Sequence, residues 1–278
     1  MKLTTTETEV QFEDGNRLAG SYQFHDPYKP HIHPLRSPVG HTISASQPHD
    51  HDHHRGLMFA LQTKEVNFWA EVPEAEGEAV GRQRHVRFDD VVESGERVGF
   101  SQQLVWEDVE GRQEVFREQR SIYCSVGSGG IFQWDWRTEL VSLRRQTLIL
   151  SKWSAPNPSG QKVSFNGLGC RFIRSFGWTG PTGSSMQLDG QAADFEASGF
   201  GARNQSASFI GAIDGLRPIP RVKYTVTQQE TDDQAYFIVN HPAFAYCAVG
   251  PSNLEPLELS EGQVLALDYR IEVGDEAP

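Results

Sequence analysis

The chain has 278 residues, of which 37% are hydrophobic and 22% charged, with 16 Phe and a formal net charge of −12. That is enough apolar material for one large β domain or two ordinary ones, and all-β sandwiches and barrels of this length fold as single units. The acidic balance argues against a nucleic-acid partner, because the phosphate backbone demands a basic footprint.

The N-terminal stretch Met1–Glu9 is polar and acidic and lacks an apolar signal core. No segment approaches the ~20 apolar residues that span a bilayer. A cytoplasmic protein with no membrane partner is the expectation.

Lys29-Pro30-His31-Ile32-His33-Pro34-Leu35-Arg36-Ser37-Pro38-Val39-Gly40-His41 is the first segment with chemistry in it. The flanking prolines favour extension, which points His31 and His33 to one face. A short loop then leads to His49-Asp50-His51-Asp52-His53-His54, so eight of the ten histidines fall between His25 and His54. If extended, this run puts His51 and His53 on one side and His54 on the other. Imidazole changes charge nearest neutral pH and is the commonest metal ligand, so the cluster marks a reactive site.

A metal needs three or four ligands converging from separate segments. His33, His51 and His53 are the candidates for one divalent ion, with Asp50 and Asp52 as ligands or orienting acceptors. The spacing matches no standard zinc signature. The alternatives are a metal-free site whose histidines bind a polar ligand by hydrogen bonds, and a solvated His/Asp tract. Arg36 and Arg55 either hold a carboxylate or polarise an oxygen, or neutralise Asp50 and Asp52. His41 joins the candidates for substrate binding.

Arg55-Gly56-Leu57-Met58-Phe59-Ala60 reads as a loop passing into a buried strand. Trp69, in Val66-Asn67-Phe68-Trp69-Ala70-Glu71, and Trp178 are candidates to stack on a sugar ring. Strand-like alternation follows at Gly99–Trp106, Val115–Val126, Ile131–Thr138, Gln146–Trp153, Tyr236–Asn240 and Leu265–Val273. In the last, every odd position is apolar, as a strand with one buried face requires. Trp178–Gln205 is rich in Gly, Ser and Asp and reads as a long loop or a surface hairpin. No amphipathic helix of twelve residues stands out, and no composition break divides the chain. The expected fold is all-β, a large antiparallel β-sandwich forming one domain over 1–278.

Near the C-terminus, Asn253-Leu254-Glu255-Pro256-Leu257 places a glutamate before a proline at the entry to the last strand pair. Held rigidly and partly desolvated, Glu255 would serve as a general base or acid; the alternative is an exposed strand-edge carboxylate. Asn253 and His241, the latter just after the Tyr236–Asn240 strand, are further substrate-binding candidates. Cys124, Cys170 and Cys247 form no CxxC pair and no even set, so buried free thiols are expected. There is no GxSxG elbow, no P-loop and no GxGxxG opening a helix, so no nucleotide cofactor is expected.

The segments Lys29–Arg36, Gly40, Asp50–Leu57 and Val66–Trp69 resemble the uncharacterised bacterial family known as methane oxygenase PmoA-like. The likeness extends weakly through Phe165-Asn166-Gly167-Leu168-Gly169 to Asn253–Leu257. That family usually has an aromatic where His31 stands and a proline where Asp52 stands. Its name does not suit a chain with no bilayer span. The resemblance implies a galactose mutarotase-like supersandwich and a sugar or glycoside as the small-molecule partner. In mutarotase-like enzymes a histidine and a late glutamate handle protons at a sugar oxygen, roles that fall here to His51, His53 or His54 and Glu255.

The functional expectation is a carbohydrate-active enzyme that transfers protons on a sugar or keto-glycoside, by epimerisation or by elimination and hydration. His53, His54, Glu255 and Arg55 are its catalytic candidates, and a divalent ion held by the histidines would act as Lewis acid. A non-catalytic carbohydrate-binding protein is the alternative, and a metal-dependent oxygenase with a facial triad a third.

Overall fold

The alternating segments assemble into two large sheets. The computed structural model describes residues 1–73, 78–111, 113–177, 183–194, 200–229 and 233–276. A nine-stranded sheet runs, in spatial order, through Lys2–Thr5, Glu9–Asp14, Arg17–Gln23, His31–Leu35, Leu57–Ala60, Gly167–Phe172, Phe244–Gly250, Ala235–His241 and Phe200–Ala202. A ten-stranded sheet lies against it and is built largely of the long strands Ala79–Val92, Arg97–Asp108, Glu114–Val126, Phe132–Ser142 and Val264–Asp275. Neighbouring strands pair antiparallel, apart from the short Val66–Asn67 against Ala79–Val92. The fold is thus an antiparallel β-sandwich. Among the described residues there is no α-helix, and no helix is long and apolar enough to cross a membrane.

The inner faces meet as the period-2 pattern requires. Along Phe132–Ser142 the residues Phe132, Trp134, Trp136, Thr138 and Leu140 are buried while their neighbours are not. Trp134 packs edge-on against Phe12 of the facing sheet at 4.8 Å, and Trp136 against Tyr22 at 6.4 Å. One polar knot sits in this core. Arg120 and Glu118 are both fully buried and bonded at 2.8 Å, and Trp106 and Thr138 also donate to Glu118. Tyr22 links the knot across the sandwich by accepting from Arg120 at 3.2 Å. Such a pair holds register only while both partners are satisfied. Cys124, Cys170 and Cys247 are buried free thiols.

Two segments depart from their reading. Gln146–Trp153 is a strand only over Gln146–Leu148, because a turn closes at Ser151–Ser154, where the Ser154 N–H donates to the Ser151 carbonyl at 3.0 Å. Within 178–205, the described residues contain a hairpin, Ser185–Leu188 with Gln191–Ala193, at the edge of the ten-stranded sheet, and an edge strand, Phe200–Ala202, on the other.

Candidate functional site

The site lies on the face of the nine-stranded sheet turned away from the sandwich core. Leu57 and Phe59 enter the main core, whereas Met58 and Ala60 join a second cluster with Trp69, Val163, Phe237, Tyr246 and Ala248. Both faces of these central strands are therefore apolar, which is why Leu57–Ala60 reads as an unbroken hydrophobic run. Three excursions cover the outer face: the histidine loop before Leu57, the segment carrying Trp69, and the segment from Trp153 to Phe165. Together they enclose a cavity of about 740 Å³.

The histidine loop is a hairpin folded onto Gly167–Phe172. The Ala45 N–H donates to the Arg171 carbonyl at 2.8 Å, and the Arg171 N–H donates to the Gly56 carbonyl at 2.9 Å. Gly56 has φ +68°, and a Cβ there would stand 2.4 Å from the Ile32 carbonyl oxygen, so only glycine permits this approach. At the tip, the His54 N–H donates to the His51 carbonyl at 3.0 Å, closing a turn. The run is therefore not extended, and the expected split of His54 from His51 and His53 does not occur. All three rings line the cavity. His51 and His54 stack at 4.6 Å, and His53 stands edge-on to His54 at 4.8 Å.

Asp50 and Arg171 set the electrostatics beneath these rings. Arg171 is 1% exposed; its Nη2 donates to Asp50 Oδ2 at 2.6 Å and its Nη1 to His54 Nδ1 at 3.2 Å. His51 Nδ1 lies 3.0 Å from the same Asp50 oxygen and 3.5 Å from Arg171 Nη1. A carboxylate only accepts, so the network assigns the His51 proton to Nδ1 and leaves Nε2 with its lone pair. By the same logic His54 accepts at Nδ1 and carries its proton on Nε2. Burial opposes the Asp50 charge, yet hydrogen bonds from Arg171 and His51 outweigh it and hold the carboxyl well below the usual range. Burial pushes His54 well below an ordinary imidazole, helped by the neighbouring rings and Arg171. Burial likewise lowers His53, followed by the charge of Lys29. Both are neutral N–H donors at pH 7.

The remaining walls are aromatic. Trp69, 3% exposed, stands edge-on to His54 at 5.7 Å and packs against Phe165 at 4.8 Å. Asn67 fixes it by accepting from the Trp69 and Ala70 N–H groups. Tyr246 and Phe237 continue the floor, and Phe244 covers the Arg171 guanidinium at 4.9 Å. A Cβ on Gly169 would collide with the Tyr246 hydroxyl, so that glycine makes room for the ring.

A second ionic network braces the cavity from behind. The Lys29 ammonium is fully buried and donates to the Trp69 carbonyl at 2.8 Å, to Glu71 at 3.0 Å and to the His53 carbonyl at 3.2 Å. It thereby ties two cavity-forming loops together. Burial lowers Lys29 and the Glu71 charge works against that fall. Arg55 donates from Nε and Nη2 to Glu71, and its Nη1 lies 3.4 Å from Asp26. Asp26 also faces His31 at 3.9 Å.

The sequence-based candidates therefore separate into groups. His51, His53, His54 and Trp69 converge on the cavity. Arg55 is 6% exposed and committed to Glu71 and Asp26, not to Asp50 or Asp52. Asp52 is 87% exposed beside His53. His33 bonds Ser44 at 3.0 Å, and Arg36 bridges to Thr42, neither of them lining the cavity. His41 sits in the turn that follows, bonded to Ser37. His241 is exposed at the end of the Ala235–His241 strand and accepts from the Ala243 N–H at 3.0 Å. Asn253 is fully buried and donates to the Ala235 carbonyl. Glu255 is 74% exposed and pairs with Arg203 at 3.1 Å, so it does not meet the imidazoles. Trp178 lies outside the described residues. Among the described residues, no three His, Cys, Asp or Glu side chains are grouped to hold a metal ion, so His33, His51 and His53 do not converge on one.

Sequence reasoning missed Arg171, Lys29, Glu71 and Phe244. The signal for Arg171 was a charge inside the apolar strand Gly167-Leu168-Gly169-Cys170-Arg171-Phe172, which cannot be buried without a partner.

Fold and cavity together define a β-sandwich protein with an aromatic, imidazole-edged pocket on an outer sheet face. The chain belongs to a family of unknown function, DUF6807, whose profile matches residues 9–278. That profile does not carry the PmoA-like label. No curated protein sequence matches the chain. Among solved structures, it is similar to the galactosidase domain of an alpha-galactosidase-sucrose kinase, with TM-score 0.48, 8% identity, and coverage of 99% of this chain and 42% of that one. It is also similar to a GH36 alpha-galactosidase from Geobacillus stearothermophilus, with TM-score 0.48, 10% identity, and coverage of 99% and 41%. A galactose 1-epimerase from Lactobacillus acidophilus NCFM gives TM-score 0.45 and 9% identity, covering 100% of this chain and 98% of that one. The chain spans about two fifths of the two galactosidase structures. These likenesses concern the arrangement of strands alone.

Proposed function

We propose that this protein is an enzyme that moves a proton at a carbon beside a carbonyl of a carbohydrate, a keto-glycoside being the substrate class. The observation that carries the reading is the Asp50–His51 pair, clamped by buried Arg171 at the edge of the aromatic cavity. A carboxylate-oriented imidazole with a free Nε2 is a general base. Neutral His54, with its proton on Nε2, is an electrophile that needs no charge of its own.

His51 takes the proton from the carbon. The C–H electron pair moves into the carbon–carbon bond and the carbonyl pair onto oxygen, where the His54 N–H stabilises the developing charge. Delivery of a solvent proton to the opposite face, with His51 releasing its own proton to water, gives the epimer. Departure of a β-substituent, protonated by the His51 imidazolium as it leaves, gives elimination. Low dielectric in the aromatic cavity strengthens each polar contact. The carbohydrate class is supported by aromatic side chains lining the cavity, a residue type that packs on the C–H face of a pyranose, beside imidazoles able to meet its hydroxyls.

The test is proton exchange in D₂O with a panel of keto-glycosides, followed by NMR. Deuterium is expected at the carbon beside the carbonyl with the wild type, and its incorporation is expected to vanish in His51→Ala. No exchange above buffer, or full exchange in His51→Ala, rejects the reading. Saturable binding without exchange would instead make the protein a non-catalytic carbohydrate binder.

A further inference from the structure

The cavity is polar along one edge and apolar elsewhere among its described lining residues. Among the described lining residues, the imidazoles of His51, His53 and His54 supply the main hydrogen-bonding side chains. The Tyr246 hydroxyl is directed at the Phe165 carbonyl, 3.5 Å away. A desolvated hydroxyl left without a partner weakens binding by roughly five- to a hundredfold. A sugar fits the imidazole edge; a second sugar would leave its hydroxyls against rings.

Those rings extend to the mouth. Trp153 lines the cavity yet is 65% exposed. It is held by a hydrogen-bonded turn: its N–H donates to Ser151 Oγ at 3.2 Å, and the Ser151 N–H donates to Ser164 Oγ at 3.1 Å. An exposed indole on an ordered turn at a cavity mouth is a platform for an apolar group entering from solvent. Flat partners gain most there, since aromatic stacking and edge contacts add to area burial.

We infer that the substrate is a glycoside with a flat aromatic aglycone, its sugar at the imidazoles and its aglycone between the aromatic floor and Trp153. The placement of the sugar rests on the proposed function. The aromatic subsite is measured separately, by binding.

Isothermal titration of the full chain with phenyl, octyl and methyl glycosides of the same pyranoses tests it. Phenyl glycosides are expected to bind at least about tenfold tighter than their methyl counterparts. Trp153→Ala should reduce that phenyl-to-methyl ratio at least about threefold, and Trp153→Tyr should restore most of it. Because Trp153 is largely exposed, neither change threatens folding. Equal phenyl and methyl affinities, an octyl glycoside binding tighter than the phenyl one, a ratio indifferent to Trp153→Ala, or no phenyl binding at all overturns the inference. His51-dependent exchange without a phenyl preference removes this subsite and leaves the proton transfer standing. A Trp153-dependent preference without exchange does the reverse.

Discussion

Arg171 Nη2 meets Asp50 Oδ2 at 2.6 Å across 121 residues of chain, and that bond joins the backbone hydrogen bonds that hold the histidine loop on a central strand. It fixes the carboxylate that orients His51, while the other guanidinium nitrogen fixes His54.

Asp50→Asn keeps the size of the side chain but removes the charge facing Arg171. Turnover of an active keto-glycoside should fall by about 10²–10⁴, the range for a lost acid–base function. Stability should fall by about 1–3 kcal/mol, since a nearly buried guanidinium loses its counter-charge. Steady-state kinetics beside urea denaturation separate the two effects. Unchanged turnover would remove Asp50 from the mechanism.

Lys29→Met should destabilise the protein by about 3 kcal/mol or more, because the ammonium serves two carbonyls and Glu71 in a fully buried position. Urea denaturation measures the loss. A change under 1 kcal/mol would show that the two loops hold together without it.

Acid should weaken the fold before its carboxylates titrate. Burial lowers the pKa of His31 to about 4 and that of His54 well below 6.5. Between their unfolded value near 6.5 and these folded values, the unfolded chain binds protons that the native chain refuses. Stability is therefore full above about pH 6.5 and declines as pH falls toward 4, by up to about 1.4 kcal/mol per pH unit for His31. Denaturation midpoints at pH 7, 6 and 5 check this, and His31→Asn should flatten the decline.

Glu255→Gln should leave turnover within about twofold and stability within about 1 kcal/mol, as expected for an exposed ion pair. A hundredfold loss of activity would return this carboxylate to the site.

The strands were legible because alternation survives wherever one face is wet, as in Leu265–Val273 and Ile131–Thr138. The histidine cluster was legible by composition. Its geometry was not: a turn at His51–His54 overrides the spacing rule for extended chain and gathers rings that a strand would part. The general acid or base was sought late in the chain at Glu255, which pairs with Arg203 instead, whereas the carboxylate beside the imidazoles is Asp50. Asp50 was legible as an orienting acceptor, but nothing in a His/Asp tract separates it from Asp52, which points to solvent. Arg171 and Phe244 come from distant strands, and only their pairing, Arg171 opposite Tyr246, brings them under the loop.

Successive residues on the central strands serve opposite masters. Leu168, Cys170 and Phe172 feed the sandwich, while Gly169 and Arg171 face the pocket. A single inserted residue in this segment would exchange the two sets, driving a guanidinium into hydrocarbon and turning a thiol toward ligand. Loops around the pocket can vary in length, but the spacing inside Gly167–Phe172 cannot.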